Sequence, residues 1–139
     1  MMVKNGCMDC PRPVAVSVVI PVYNVEKYLD ETIQSVLDQE LQDFEIILVN
    51  DGSSDSSAEI CRKYASLDAR IYFFDQENSG VSVARNNGLI HASGEYVYFL
   101  DSDDTIERTF LSASLAIAKQ QNFDLLILGF SLFSLESLS

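Results

Sequence analysis

One short stretch, YVYFLDSDD at residues 96–104, decides the fold because an apolar run there ends on three aspartates. Its aromatic and β-branched half predicts a buried strand. Two carboxylates two residues apart at the end of such a strand can point into one crevice and hold a hard divalent cation such as Mg²⁺ or Mn²⁺. The same aspartates are also typical of a helix start, where the helix dipole favours negative charge. This stretch by itself favours neither interpretation over the other.

The rest of the chain repeats the alternation of apolar runs with helical patterns. Continuous apolar strands separated by amphipathic helices predict an α/β fold, an open and mostly parallel sheet with helices on both faces. Further strands are predicted at residues 16–20, 44–49, 70–74 and 125–130. Helices are predicted from a cap at Asn24, from a capping box of Ser56 and Glu59, over residues 81–92, and from a cap at Thr105 to about Gln121.

The length of 139 residues suits one domain. We expect a flexible leader over residues 1–14, an incomplete α/β domain over residues 15–131 that stops after about its fifth strand, and a tail over residues 132–139. Cys7 and Cys10 form a lone C-x-x-C in the leader without a second pair of ligands. That spacing favours an unstructured segment over a zinc or redox site.

Nine Lys and Arg against 21 Asp and Glu give the chain a formal charge of −12. This charge argues against nucleic acid as a partner, because phosphate backbones are bound by basic surfaces. A phosphate ligand would need a metal ion or helix N-termini to offset the acidic field. No apolar run reaches the ~18 residues of a membrane span, and the N-terminus lacks the pattern of a signal peptide. We therefore expect a cytoplasmic protein and leave open its association with the inner face of the membrane.

Four polar segments follow the predicted strands: residues 21–24, 50–55, 75–80 and 101–104. In an open α/β sheet, ligands bind beyond the carboxyl ends of the strands, so these segments are the candidate site. Residues 50–55 (NDGSSD) are also typical of an ordinary turn into a helix, which is the favoured interpretation for that segment by itself. Arg85, on the helix that enters the crevice, is either a contact to phosphate or base or one more solvated side chain.

Taken together, the ordered motifs PVYN (residues 21–24), NDGSSD (50–55), ARNNG (84–88) and DSDD (101–104) resemble the family 2 glycosyltransferases of the GT-A fold, which is Rossmann-like. The resemblance runs from about Val16 to Asp104. It implies a nucleotide diphosphate sugar as donor, usually UDP-linked, and Mg²⁺ or Mn²⁺ held by the Asp-x-Asp element. It also implies inverting transfer to a polysaccharide or lipid-linked acceptor in cell-envelope glycan synthesis.

The resemblance assigns roles to the matching residues. Asp51 would bind the uracil, Asp101 would contact the ribose or the sugar, and Asp103 would be the metal ligand. A metal there would offset the charge that develops on the leaving diphosphate. The nucleoside pocket would be lined by Pro21, Tyr23 and Asn24, with Arg85 nearby.

The family's general base has no match in this sequence and is expected beyond residue 139. Glu136, in its Ser- and Leu-rich setting, does not resemble it. The alternative to an enzyme is therefore a non-catalytic nucleotide-sugar-binding module that lacks the base and the acceptor site. A nucleotidyltransferase is disfavoured, because residues 21–24 carry no Gly-rich basic signature. A homodimer is kept open, since the last strand would expose apolar surface.

Overall fold

The computed structural model describes residues 2–4, 14–121 and 125–126, and these residues form one six-stranded sheet with four helices. The strands are β1 (Met2–Lys4), β2 (Val16–Val22), β3 (Phe44–Asp51), β4 (Ile71–Gln76), β5 (Tyr96–Phe99) and β6 (Leu125–Leu126). The helices are α1 (Leu29–Leu37), α2 (Ser57–Leu67), α3 (Val81–His91) and α4 (Phe110–Gln120).

The strand order is β4-β3-β2-β5-β1-β6. The first four of these strands are mutually parallel, and β1 pairs antiparallel with both β5 and β6. The chain thus leaves β2 toward β3 and β4 on one side and returns to β5 on the other side. The predicted α/β class with a mostly parallel sheet is confirmed, and the connections diverge between β2 and β5.

Alternate residues of the central strands supply two hydrophobic cores, one on each face of the sheet. Val18 and Ile20 belong to the core that packs against α1, α2 and α4. Val19 and Ile47 belong to the smaller core on the face of α3. Both faces are therefore covered, as the continuous apolar strands predict.

Gly88 lets α3 lie close to the sheet. A Cβ at this position would collide with a methyl group of Val19 on β2, so a larger residue would push the helix outward. This close approach brings the first turn of α3 beside the carboxyl ends of β2 and β3.

Strand β2 continues through Pro21 to Val22, whereas the sequence pattern predicts its end at Ile20. The pairing of β2 with β5 stops at Val19 and Phe99, and the Val19 carbonyl accepts from Leu100 N–H on that side. The backbone groups of Val19 and Pro21 point toward the same neighbouring strand, so the Pro21 nitrogen points toward the side of β5. No residue of β5 pairs at that position, so the missing N–H of Pro21 leaves no strand acceptor without a donor. The strand then continues along β3 only.

Two predicted helix starts are wrong, and a third helix starts as predicted but without the predicted capping bond. Helix α1 begins at Leu29 and not after Asn24, and α4 begins at Phe110 and not after Thr105. Ser56 precedes α2 but makes no side-chain capping bond. In its place the Asp55 carboxylate accepts the Ser57 N–H at 2.9 Å. Asn24 is thus used in loop contacts, and the capping role of Ser56 is taken by its neighbour Asp55.

The two ends of the chain differ from the prediction where they are described. Residues 2–4, expected in a flexible leader, form β1 between β5 and β6. Of the predicted strand at residues 125–130, Leu125–Leu126 form β6, and residues 127–130 lie outside the described part. Cys7, Cys10, the remainder of the leader and the tail from residue 132 also lie outside it. No described helix combines the length and the hydropathy needed to cross a bilayer.

Candidate functional site

A pocket of about 430 Å³ opens at the carboxyl ends of the parallel strands. It lies where the chain diverges from β2 toward β3 and toward β5, which is where open α/β sheets bind ligands. Its walls are the ends of β2 and β3, the loops after β2, β4 and β5, and the first turn of α3. The lining residues are Pro21, Val22, Tyr23, Val25, Asp51, Asn78, Gly80, Val81, Ala84, Asp101, Ser102 and Asp103.

Most of the residues singled out from the sequence meet in this pocket. Five of them line it: Pro21, Tyr23, Asp51, Asp101 and Asp103. The other two, Asn24 and Arg85, stand outside the lining and contact residues of the neighbouring loops. The structure thus brings three carboxylates from two different strand ends into one pocket.

Asp51 is buried at the end of β3 and bound to the loop that follows β4. Its Oδ1 accepts the Ser79 N–H at 2.7 Å and the Gln76 side-chain amide at 2.9 Å, and its Oδ2 accepts the Gly80 N–H at 3.0 Å. Burial acts to raise the pKa of Asp51, but these hydrogen bonds outweigh it and hold the pKa below the usual value. Asp51 is therefore a carboxylate anion with one oxygen, Oδ2, that still has acceptor capacity.

Gly52 makes the turn after Asp51 feasible. Its φ is +70°, and a Cβ there would approach the Asn78 backbone nitrogen to 2.9 Å. Any other residue would be strained by the backbone and crowded by the loop after β4. The loops after β3 and β4 therefore pack directly on each other beneath the pocket.

Asn24 ties the loop after β2 to the loop after β3 and does not line the pocket. Its φ is +50°, a conformation that Asn tolerates better than most residues. Its side-chain oxygen accepts the N–H groups of Ser54 at 2.8 Å and Asp55 at 3.4 Å, and its own N–H donates to Ser53 Oγ at 3.0 Å. Asn24 thus supports the wall that carries Tyr23, and its expected place in the nucleoside pocket stays a prediction.

A second set of bonds reinforces this loop pair. Val25 N–H donates to Ser57 Oγ at 3.0 Å, and Glu26 N–H donates to Asp55 at 3.1 Å. The Glu26 carboxylate accepts the Ser56 N–H at 2.9 Å in return. Burial opposes the ionisation of Asp55, but the bonds from Ser57 and Glu26 prevail and lower its pKa. The wall that carries Tyr23 is thereby fixed to the start of α2.

The acidic loop, residues 101–104, is a turn and not a helix start. Asp104 N–H donates to the Asp101 carbonyl at 3.0 Å, and α4 begins only at Phe110. The helix-cap interpretation of these aspartates is therefore wrong. Burial, and then the charges of Asp103 and Asp101, raise the pKa of Asp104. The three carboxylates of this loop concentrate negative charge, and a single cation of the chain offsets only part of it.

Arg85 is that cation. One of its guanidinium nitrogens lies 3.1 Å from Asp101 Oδ1, and both side chains are substantially exposed. The ion pair joins α3 to the acidic loop at the rim of the pocket. Within residues 2–4, 14–121 and 125–126, Asp103 makes no hydrogen bond or ion pair, and its side chain is exposed.

The acidic loop fits a metal ion that is held mostly by its ligand. No three His, Cys, Asp or Glu side chains in the described part are grouped closely enough to hold a metal ion without help. Mg²⁺ is commonly bound by one or two carboxylates together with substrate phosphates, which complete its coordination. Asp103, with Asp101 beside it, offers that partial set. The donor set therefore fits a metal–diphosphate complex better than a bare metal ion.

Several lining residues have no role assigned from the sequence. Asn78 and Gly80 belong to a polar segment that the strand-end rule selects, so their position could be predicted although their function could not. Ser102 could be inferred from its place between two predicted site residues. The apolar walls, Val22, Val25, Val81 and Ala84, carry no chemical signal in the sequence.

The chain is similar to known glycosyltransferases along most of its length. The family model described as glycosyl transferase family 2 matches residues 17–138. The glycosyltransferase GlyA of Streptococcus pneumoniae is 49% identical over 69% of the chain and 14% of that protein. The cholesterol galactosyltransferase of Borreliella burgdorferi is 42% identical over 91% of the chain and 36% of that protein. The chain thus spans about a third or less of the length of these relatives.

Solved structures agree on the fold. S. aureus TarS, residues 1–349 in complex with UDP-GlcNAc, matches with a TM-score of 0.72 and 34% identity, over 78% of the chain and 32% of that TarS chain. The mannosyltransferase PcManGT of Pyrobaculum calidifontis matches with a TM-score of 0.68 and 24% identity, over 83% of the chain and 35% of that protein. At that identity the second likeness bears on the fold only. With its sheet order, its pocket and these similarities, the chain belongs to glycosyl transferase family 2 and has the GT-A fold.

Proposed function

We propose that the chain binds a UDP-sugar together with Mg²⁺ or Mn²⁺, as the donor-binding part of an inverting glycosyltransferase. The acceptor would be a polysaccharide or a lipid-linked glycan of the cell envelope. The proposal rests on one observation: Asp51, Asp101 and Asp103 line one pocket at the carboxyl ends of the strands, where the connections diverge. One carboxylate lies on the β3 side of this pocket and two lie on the β5 side, which suits a ligand with a base at one end and a diphosphate at the other.

The β3 side of the pocket suits the nucleobase. Asp51 Oδ2 keeps acceptor capacity beyond its bond from Gly80, so it can accept an N–H of a uracil ring. Tyr23 is 52% exposed at the pocket and offers an aromatic face to a flat base. Val25 and Val81 supply apolar surface beside it. This end of the pocket selects for a planar ring with a hydrogen-bond donor.

The β5 side suits the diphosphate and the sugar. Asp103 would hold the metal ion, and Asp101 would contact the ribose or the sugar once Arg85 no longer occupies it. When bound, the divalent cation offsets the charge that develops on the leaving diphosphate. Arg85 is then placed to donate to a phosphate oxygen, since its guanidinium already reaches the acidic loop.

The likeness to TarS supports a uridine donor for this chain. TarS shares 34% identity over 78% of the chain, and its structure holds UDP-GlcNAc. The sugar itself would be selected by residues that contact its hydroxyl groups. The proposal therefore extends to the UDP moiety and leaves the identity of the sugar to experiment.

Calorimetric titration with UDP tests the proposal. We expect binding in the presence of Mn²⁺ and a large loss of affinity in EDTA. Asp103→Asn removes the metal ligand and should weaken Mn²⁺-dependent binding by at least about tenfold. The matched control is Asp43→Asn, which makes the same charge change at an exposed position just before β3, at the opposite edge of the sheet from the pocket.

Equal affinity for UDP in Mn²⁺ and in EDTA would disprove the metal assignment. A loss of affinity in Asp43→Asn as large as that in Asp103→Asn would show that only net charge matters. If UDP, CDP and GDP all give no heat of binding, the donor-binding proposal as a whole is disproved.

Donor binding without sugar transfer is the second candidate activity. The carboxylates among the lining residues are Asp51, Asp101 and Asp103, and each of them has a proposed partner. No further acid in the described part lines the pocket as a general base, a group that commonly contributes about 10²–10⁴-fold. We therefore expect the 139-residue chain to release UDP from UDP-sugars only slowly and independently of added acceptor. Acceptor-dependent turnover in an assay of UDP release would contradict this expectation.

A further inference from the structure

Helix α1 presents three polar side chains to the segment that contains the acidic loop. We call this set the α1 polar row; it consists of Thr32, Ser35 and Gln39. The spacing of three and four residues places them along one side of the helix and its C-terminal end. Apart from carbonyl groups within residues 28–39, all the partners of these side chains lie in residues 102–111. The row thus connects a rigid helix to a segment that has no helix or strand before Phe110.

Thr32 makes the contact nearest to the pocket. Its side chain is fully buried, and its hydroxyl lies 2.9 Å from the carbonyl oxygen of Ser102, to which it donates. The same hydroxyl lies 3.2 Å from the carbonyl of Tyr28, the residue that precedes α1. Ser102 stands between Asp101 and Asp103. A single buried hydroxyl on α1 therefore holds the peptide that joins the two pocket carboxylates of this loop.

Ser35 and Gln39 continue the row away from the pocket. Ser35 Oγ accepts the Ile106 N–H at 3.2 Å. The buried amide of Gln39 donates to the Glu107 carbonyl at 2.5 Å and accepts the Leu111 N–H at 3.0 Å. These bonds give partners to backbone groups of the segment that joins the acidic loop to α4 and so help to hold that segment in place.

The acidic loop needs such an external anchor. Its three carboxylates lie within four residues and repel one another, and its internal turn bond joins Asp104 to Asp101 only. Repulsion would spread the loop unless its backbone is held from outside. The anchor acts on the backbone carbonyl of Ser102, so it leaves the carboxylates of Asp101 and Asp103 free to face the pocket.

We propose that Thr32, supported by Ser35, is a positioning residue for the acidic loop. Its hydroxyl fixes the Ser102 carbonyl and thereby sets where the carboxylates of Asp101 and Asp103 stand at the pocket. The proposal concerns how the loop is held and rests on the proposed function only in its consequence for Mn²⁺ and UDP. Without the hydroxyl, the loop would sample other arrangements, and binding of the metal–diphosphate complex would be weakened by the cost of ordering it.

The test compares Thr32→Val, which keeps the shape and removes the hydroxyl, with Thr32→Ser, which keeps the hydroxyl. The control is Ser66→Ala, because Ser66 Oγ donates at 2.7 Å to the Lys63 carbonyl of its own helix. Amide hydrogen exchange without ligand reports on the loop, at the Asp104 N–H in particular. Titration of Mn²⁺ in the presence of UDP, followed by the electron paramagnetic resonance of free Mn²⁺, reports on the site.

We expect Thr32→Val to exchange the Asp104 amide about fivefold faster, with the β2 and β3 amides unchanged. Its affinity for Mn²⁺ in the presence of UDP should fall about fivefold, while Thr32→Ser and Ser66→Ala stay near the wild type. Should Thr32→Val not fold, Ser35→Ala tests the supporting contact, again with the Asp104 amide as the reporter, because Ser35 does not bond to that amide.

Unchanged exchange at Asp104 in a folded Thr32→Val variant would overturn the proposal. Faster exchange across the whole sheet, with equal loss in Thr32→Ser, would overturn it too, since it would show a general role in stability. If the wild type binds no Mn²⁺ with UDP, the proposed function fails, and the exchange comparison still decides the role of Thr32.

Discussion

Two acidic side chains at opposite ends of the parallel strands have very different surroundings. Glu45, near the amino end of β3, is 6% exposed, and one of its oxygens accepts from Ser17 Oγ at 2.6 Å and from the N–H and Oγ of Ser93 at 2.7 and 2.9 Å. Asp103, beyond the carboxyl end of β5, is exposed and makes no hydrogen bond or ion pair in the described part of the chain. Both are charged groups beside strand ends, yet only one has its partners built into the fold.

This contrast separates carboxylates that serve the fold from those that serve a ligand. A buried carboxylate with several internal donors is stabilised where it is and has no need of a cation. An exposed one beside two like charges gains most from a ligand that brings positive charge. Asp51 combines both situations, because it has three internal donors and still lines the pocket. Substitutions at the three positions should therefore have different effects on folding and on binding.

The largest expected effect is on folding, from Glu45→Ala. The substitution leaves the Ser93 N–H and the buried Ser17 hydroxyl without their acceptor, so the free energy of unfolding should fall by about 3 kcal/mol. Urea denaturation measures this, and Asp103→Ala is the comparison, with an expected change within about 0.5 kcal/mol. Glu45→Gln keeps an oxygen for the donors and should lose less. Equal losses of unfolding free energy in Glu45→Ala and Asp103→Ala would contradict the proposed difference between these two carboxylates.

Asp51→Ala should affect both folding and binding. Losing a charged acceptor for the base should weaken UDP binding by about 1–3 kcal/mol, and freeing the Ser79 and Gly80 N–H groups should lower the free energy of unfolding by about 1–2 kcal/mol. Calorimetry and urea denaturation of the same variant separate the two effects. A variant that binds UDP normally while it unfolds more readily would make Asp51 a component of the fold, as Glu45 is.

The sequence predicts the sheet and the carboxylates of the site well, for a physical reason. Buried parallel strands are continuous apolar runs, and the carboxyl ends of such strands converge, so the sequence suffices to place Asp51, Asp101 and Asp103 together. These predictions depend on local composition and on a rule of topology. Neither requires knowledge of a particular long-range contact.

The errors fall on polar residues with partners that are distant in the chain. Asn24 resembles a helix cap, but its oxygen binds backbone N–H groups 30 and 31 residues away. No role is predicted for Thr32, whose partner is 70 residues away. Strand β1 escapes prediction because its pairing depends on the edge of β5, which a short N-terminal segment does not reveal. Hydrogen bonds of this kind leave no periodic signal in a sequence.

The smallest expected effect is on the pH dependence of folding, and it again compares Asp51 with Asp103. The hydrogen bonds from Ser79, Gln76 and Gly80 outweigh the effect of burial and hold the folded-state pKa of Asp51 below its ordinary 3.8. A carboxyl group with a lowered folded pKa stabilises the protein above its unfolded pKa, and this stabilisation is lost as the pH falls through the folded pKa. Stability from Asp51 should therefore decline below about pH 4.

Asp51→Asn removes the titration and keeps the size of the side chain, so the difference in unfolding free energy between wild type and this variant should shrink as the pH is lowered from about 5 to about 3. Urea denaturation across that range measures the difference and cancels the titration of the other acids, Asp55 and Asp104 included, as long as they are unaffected by the substitution. The same series for Asp103→Asn is the matched control, because Asp103 accepts no hydrogen bond from the described residues. A constant difference between wild type and Asp51→Asn would mean that the hydrogen bonds to Asp51 do not favour its charged form. In that case Asp51 would resemble Glu45 only in the arrangement of its hydrogen-bond donors. The base of the UDP-sugar would then be the remaining partner that explains the charge of Asp51.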